Sequence, residues 1–173
     1  MNVWSQIASA AALESRLWAE ASLAEDEWTK DVVFSPLSDP AYGLGIETIY
    51  EGYLVHYGHA RLFSPSDSDI AILLGDYLYA HGLVRIADTG NVNAVADLAE
   101  LISLCSQARA DRRDGEGAAW AATAAELGSG TLEAARRALR ERGDGSELEH
   151  AARARAGDAA VEQALAMHTR LVG

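Results

Sequence analysis

The chain is expected to be an all-α helical bundle, on three observations. Alanine and leucine are abundant beside only two phenylalanines, and both are good helix formers. The three prolines, Pro36, Pro40 and Pro65, all precede residue 66 and leave the rest of the chain free to be helical. Apolar residues recur at spacings of three and four, as on a helix face. A length of 173 residues with 49% hydrophobic and 23% charged residues suits one domain over 1–173 with a single sizeable core.

About seven helices are expected. Trp4, Ile7, Ala11, Leu17 and Leu23 place the first over residues 4–25, closed by Glu25-Asp26-Glu27. Residues 28–40, with Phe34-Ser-Pro36-Leu-Ser-Asp-Pro40, have the composition of a loop with turns. The second helix runs from Pro40 to about Gly58 on Ile46, Ile49, Tyr53, Leu54 and Tyr57. The third, over 67–88, starts from an N-cap at Asp67 or Ser66. Ile70, Ile72, Leu73, Leu74, Tyr77 and Leu78 make its centre apolar nearly all round, which predicts the buried central helix. A fourth helix follows over 92–110 with Val95, Leu98, Ile102 and Leu104. The fifth, over 116–127, is alanine-rich and suited to close packing. Thr131 is expected to cap the sixth and Gly143 to stop it. Ser146-Glu-Leu-Glu149 has the pattern of a capping box opening a last helix to about residue 171.

Net charge is −12, and the excess lies entirely in residues 1–130, because the segment from 131 onward carries seven acidic and seven basic residues. An acidic chain repels phosphate backbones and anionic lipid surfaces, so no nucleic-acid partner is expected. Cys105 is the sole cysteine, so neither an intrachain disulfide nor a cysteine metal cluster can form. Its apolar helical surroundings predict a buried, inert thiol. Neither a secretory pattern at the N-terminus nor an uninterrupted apolar run of about 18 residues is found, which makes cytoplasmic the expected location with no spanning segment.

Two segments carry the chemistry. Ile46-Glu-Thr-Ile-Tyr50 is followed by Leu54-Val-His56-Tyr57-Gly58-His59, and then comes Ala71-Ile-Leu-Leu-Gly75-Asp76-Tyr77-Leu-Tyr79-Ala80. Over roughly residues 41–130 the chain resembles the trans-polyprenyl diphosphate synthase family. That family carries Glu-x-Ile-His and Leu-Ile/Val-His-Asp-Asp on one helix and Ala-Ile-Leu-x-Gly-Asp-Tyr-Leu-x-Ala on the next. The resemblance implies a shortened isoprenoid-synthase fold. In the family, aspartates on one helix face hold Mg²⁺ ions that grip an allylic diphosphate. Here Tyr57 and Gly58 occupy the place of the aspartate pair, and Arg61 falls where the final aspartate belongs.

No catalytic residue and no metal ligand is therefore assigned, and no cofactor is expected on the chain itself. The resemblance implies a small non-catalytic or regulatory subunit of a heteromeric long-chain synthase, which assists allylic substrate binding and chain-length control. Mg²⁺ would then belong to a catalytic partner, and an isoprenoid diphosphate would be the shared ligand. A half-fold leaves apolar faces that a catalytic synthase subunit or a self-dimer must cover. The alternative is a stand-alone helical protein binding an isoprenoid or other apolar ligand.

The expected substrate-binding residues are Tyr53, His56, Tyr57, Arg61, Asp76 and Tyr79. Asp76, mid-helix in an apolar stretch, must be paired or shifted in pKa, whether its duty is structural or toward a ligand. Tyr50, Tyr53, Tyr57, Tyr77 and Tyr79 either wall a cleft between the second and third helices or pack as core. His56 and His59, three apart, and His81 on the next helix could share a metal, or satisfy helix–helix hydrogen bonds. Arg136, Arg137, Arg140 and Arg142 read as a solvated face balanced by Glu133 and Glu141, and Asp111-Arg-Arg-Asp114 as solvated ion pairs.

Overall fold

The computed structural model describes residues 2–173. Among them are nine α-helices and no strand, with 74% helical content, so the chain is an all-α protein. The helices are α1 (Val3–Glu14), α2 (Arg16–Ala21), α3 (Gly43–Tyr57), α4 (Ser68–Ala87), α5 (Val92–Ala110), α6 (Glu116–Ala125), α7 (Glu133–Arg142), α8 (Ser146–Ala156) and α9 (Asp158–Val172). Single 3₁₀ turns at Glu25–Glu27, Ser35–Leu37 and Pro40–Tyr42 punctuate the segment expected to be irregular.

Nine helices replace the expected seven because two long elements are broken. Ser15 is extended, and its Oγ accepts from the Leu17 N–H at 3.2 Å, so it caps α2 instead of continuing α1. Gly157, at φ 90° and ψ 150°, separates α8 from α9 in a conformation open to glycine alone. Two caps also differ from expectation. Thr131 bonds Ser129 Oγ at 2.8 Å and caps nothing. The capping box at Ser146 does not form, because Asp144, two positions earlier, accepts from both the Ser146 N–H (3.0 Å) and its hydroxyl (2.6 Å). Asp67 caps α4 through the Ile70 N–H at 2.9 Å, and Gly143 ends α7 at φ 68°.

The larger correction concerns the centre of the molecule. The helix expected there, α4, buries only Leu74, Gly75, Leu78, Tyr79, Gly82 and Ile86. The most enclosed helices are α3, with Gly45 through Leu54 all buried, and α6, with every residue but Gly117 buried. Around them lies the main core, which takes Phe34, Tyr50, Tyr53, Leu101, Trp120, Leu148 and Val161. A smaller core forms where α1 and α2 cover the inner side of α4, from Trp4, Ile7, Trp18, Leu62, Phe63, Leu74 and Leu78. Cys105 is buried as expected.

The α3–α4 contact is set by four glycines spaced seven apart on each helix, Gly45 and Gly52 against Gly82 and Gly75. A Cβ on Gly52 would stand 2.9 Å from the Gly75 carbonyl oxygen, and one on Gly82 would stand 3.1 Å from that of Gly45. The two helices therefore touch backbone to backbone along an antiparallel seam, with no room between them.

By mean hydropathy, 1.3 over an 18-residue window, α4 is the one helix among the described residues long and apolar enough to cross a membrane. The expectation of no spanning segment counted uninterrupted runs, and Asp69, Asp76 and Arg85 interrupt this one. One side of α4 is in any case committed to α3 and α1.

Candidate functional site

The two motif segments form a single contact. Gly75 has no side chain because the His56 ring lies directly against its Cα. His56 Nε2 stands 3.2 Å from Asp76 Oδ1, and the His56 ring is 5.1 Å from that of Tyr79. The Leu-Val-His and Leu-Gly-Asp-Tyr strings are thus two halves of one packing arrangement. Burial lowers the His56 pKa against the opposing pull of Asp76. Asp76 keeps a side chain 66% exposed, so solvent and His56 answer the demand that a mid-helix carboxylate be paired. The Tyr79 hydroxyl is buried without a hydrogen-bond partner, and that burial carries its pKa far above the usual phenol range.

The cleft expected between these helices is filled by the glycine seam, and the five tyrosines go to different places. Tyr50 and Tyr53 turn away from α4 into the main core, in ring contact with Trp120 and His168. Tyr57 donates to Ser106 Oγ on α5 at 3.4 Å. Tyr77 stacks between Trp18 and His81, and Tyr79 rests on His56.

The three histidines do not converge either. Helix α3 ends at Tyr57, so His59 lies beyond the helix and exposed, with its N–H donating to the Leu171 carbonyl at 2.8 Å. Among the described residues no three His, Cys, Asp or Glu side chains come together as a metal-holding group. One exposed carboxylate beside one imidazole is not the multi-carboxylate grip that an Mg²⁺–diphosphate requires, so that group does not fit these residues.

Arg61, placed by sequence among the substrate contacts, is instead fully buried beneath the N-terminal segment. It donates from Nη1 to Glu47 Oε2 at 2.7 Å and from Nε to Glu51 Oε2 at 2.9 Å. Its Nη1 also reaches the Asp31 carbonyl at 2.8 Å, and its guanidinium lies 4.7 Å over Trp4 and 5.1 Å from the Tyr50 ring. Glu51 Oε1 accepts two backbone N–H groups, from Arg61 and Leu62, both at 2.8 Å. Glu47 Oε1 accepts the Ser35 hydroxyl at 2.6 Å. A buried guanidinium survives only when its donors are spent this way, so Arg61 bolts the 28–37 segment and the 59–63 turn onto α3. Arg136 departs from expectation in the same manner. It is buried and bonds Asp97 Oδ1 at 2.9 Å instead of facing solvent.

An open cavity lies between the C-terminal ends of α5 and α9 and the start of α6. It has a volume of about 630 Å³ and is lined by Arg109, Arg112, Glu116, Leu165, His168 and Thr169, among others. Arg109 Nη2 donates to the Tyr53 hydroxyl at 2.9 Å, which joins the cavity to α3. Arg109 Nε and Glu116 Oε2 are 2.7 Å apart as an ion pair, but the N–H does not align with the oxygen, and Glu116 Oε1 is left without a partner. Burial raises the Glu116 pKa, with Arg109 opposing it. His168 Nδ1 meets the Tyr50 hydroxyl at 2.9 Å, and burial together with Arg109 lowers its pKa to about 4, so it is neutral at pH 7. Two of the expected contacts thus reach the cavity floor through Arg109: Tyr53 by its hydroxyl, and Tyr57 by its ring, 5.5 Å from the guanidinium. Sequence reasoning missed Arg109, Glu116 and His168. They lie on three separate helices, and no local pattern in the sequence joins them.

With this geometry in hand, comparison with known proteins adds no kinship: the chain matches no protein-family model, no curated protein and no solved structure.

Proposed function

We propose that the chain is a non-catalytic subunit of a polyprenyl diphosphate synthase, acting on the shape of the allylic substrate site and on chain length while a partner supplies the metal-binding carboxylates. The observation that carries this reading is the state of α4. The helix with the synthase-like Gly75-Asp76-Tyr77 string buries Gly75 and Tyr79 against His56 and leaves Ile72, Leu73 and Val84 more than half exposed, with Asp76 exposed beside them. An apolar face of that kind on a motif-bearing helix is what an incomplete assembly presents. The motif residues keep a packing arrangement, His56 over Gly75 with Asp76 beside it, that serves the pairing of two helices whether or not metal chemistry follows.

In this reading His56, Tyr57, Asp76 and Tyr79 shape the surface where the partner's substrate lies. Tyr53 acts through Arg109 at the cavity floor, and Arg61 holds the scaffold. Arg112 lines the cavity with no ion pair or hydrogen bond of its own to another described side chain, and it offers a cation to the anionic end of a diphosphate. The stand-alone binder reading needed a tyrosine-lined cleft between α3 and α4, and the glycine seam occupies that space.

The test is prenyl elongation from an allylic diphosphate, isopentenyl diphosphate and Mg²⁺, run with this chain alone, with the host's catalytic synthase subunit alone, and with both. Product only from the mixture, or a changed chain length, is expected. Identical product with and without the chain, and no complex, would remove the reading.

A further inference from the structure

We infer that the outer face of α4 docks a different protein chain, one presenting an apolar helix face bordered by arginine or lysine, and that it rejects the same face of a second copy of this chain. The subunit reading enters only in naming that chain as the catalytic synthase. Leu73 (54% exposed), Asp76, Ala80 and Val84 (57%) fall at intervals of three, four and four, and Ile72 (54%) stands four before Asp76, so they share one side of the helix. Isolated exposed apolar residues are ordinary, but an aligned stripe on a single helix is the pattern of a binding face. Val92, 79% exposed, follows just beyond the turn at the start of α5.

The charges around the stripe decide its occupant. Asp67, Asp69, Asp76 and Asp88 are all exposed on or at the ends of α4. The only cation of this helix, Arg85, turns inward, donating to Thr48 Oγ1 at 2.5 Å and to the Gln6 carbonyl at 3.3 Å. Asp76 meets only the imidazole of His56, whose partial burial favours its neutral form. On α5, Glu100 is taken by Arg140. A second copy meeting this face with its own α4 would bring four carboxylates against four with no available cation between them. Like charges across an interface exclude wrong partners, whereas a basic rim is drawn in. The same sign argument turns anionic lipid away.

A photo-reactive residue in place of Leu73 in the full chain, with Arg137 on α7 as the control position, tests this in the native host. The expected result is one foreign chain cross-linked from position 73 and not from 137. Once purified, that chain should bind the wild-type protein with an affinity that falls about tenfold from low to high salt. Leu73→Asp should abolish binding, and the pair Asp69→Lys with Asp76→Lys should weaken it by about tenfold. Leu73→Asp changes an exposed residue, so its melting temperature should match the wild type. The lysine pair also removes the Asp76–His56 contact and is compared with the wild type at a temperature where both are folded.

A self-cross-link together with a dimer of the chain alone at low salt would overturn the inference in favour of a second copy. Binding to phosphatidylserine vesicles, the lack of any cross-link from position 73, or a partner indifferent to salt and to the lysine pair would overturn it too. If the foreign chain is not a prenyl synthase, the docking face stands and the subunit reading falls. If the synthase subunit binds but does not cross-link from position 73, the reverse holds.

Discussion

Helices α3 and α4 meet along one glycine seam and could exchange places on apolar content, yet they live in different surroundings. Helix α3 is enclosed from Gly45 to Leu54 and carries two buried carboxylates, Glu47 and Glu51, each satisfied by Arg61 and backbone donors. Helix α4 is the more apolar at its centre, yet exposes Ile72, Leu73 and Val84. Burial therefore follows from what surrounds a helix and not from its hydrophobicity alone. A polar residue can sit inside when its partners are built in, and an apolar one can sit outside when its partner is another molecule.

That contrast can be broken first at Arg61. Replacing it by Met should cost about 3–5 kcal/mol in urea unfolding, because Glu47 and Glu51 would stay buried without their cation. A loss under about 1 kcal/mol would mean water reaches the network.

The second route is pH. His168 is bonded to Tyr50 of α3, and its folded pKa, about 4, lies below the usual unfolded value of about 6.5. The unfolded chain binds the proton more readily, so stability is fully present above the unfolded value and is lost as pH falls toward 4, by about 3 kcal/mol in all. Denaturant midpoints should drop between pH 6.5 and 5 in the wild type and drop less in His168→Asn. Equal slopes in the two proteins would show that His168 is not the group responsible.

A third test works on the seam itself. Gly52→Ala puts a methyl group 2.9 Å from the Gly75 carbonyl oxygen, so the helices must separate. A loss of about 1–3 kcal/mol and a lowered melting temperature are expected. The smallest effect belongs to the outer side of α4, where Leu73→Ala should change stability by no more than about 0.5 kcal/mol. A larger loss would mean that Leu73 is not the exposed residue described.

Much of the fold is legible because its signals are local. Asp67 and Gly143 mark helix ends within a turn of the residues they serve, and apolar spacing fixes α3, α4 and α5 closely. Ser15 and Gly157 were missed because serine and glycine are tolerated inside a helix, and only the surrounding packing makes them breaks. The misplacement of α4 has a sharper cause. A helix apolar all round looks the same in sequence whether its own chain or another covers it.

Two long-range features did leave a trace. Glu47 and Glu51, one turn apart on an apolar helix, call for a buried cation, and Arg61 lies close behind them. Glycines seven apart on consecutive helices signal a backbone-to-backbone seam. The cavity residues Arg109, Glu116 and His168 left none, since nothing local ties three helices' ends to one another.

The most direct test of the account joins function to the outer face of α4. Elongation product is measured from the catalytic synthase subunit mixed with the wild-type chain and, separately, with Leu73→Asp, after matching melting temperatures have been confirmed. Stimulated or altered product with the wild type and none of that change with Leu73→Asp is the predicted result. Equal product from both mixtures, or no effect of either chain, would contradict it.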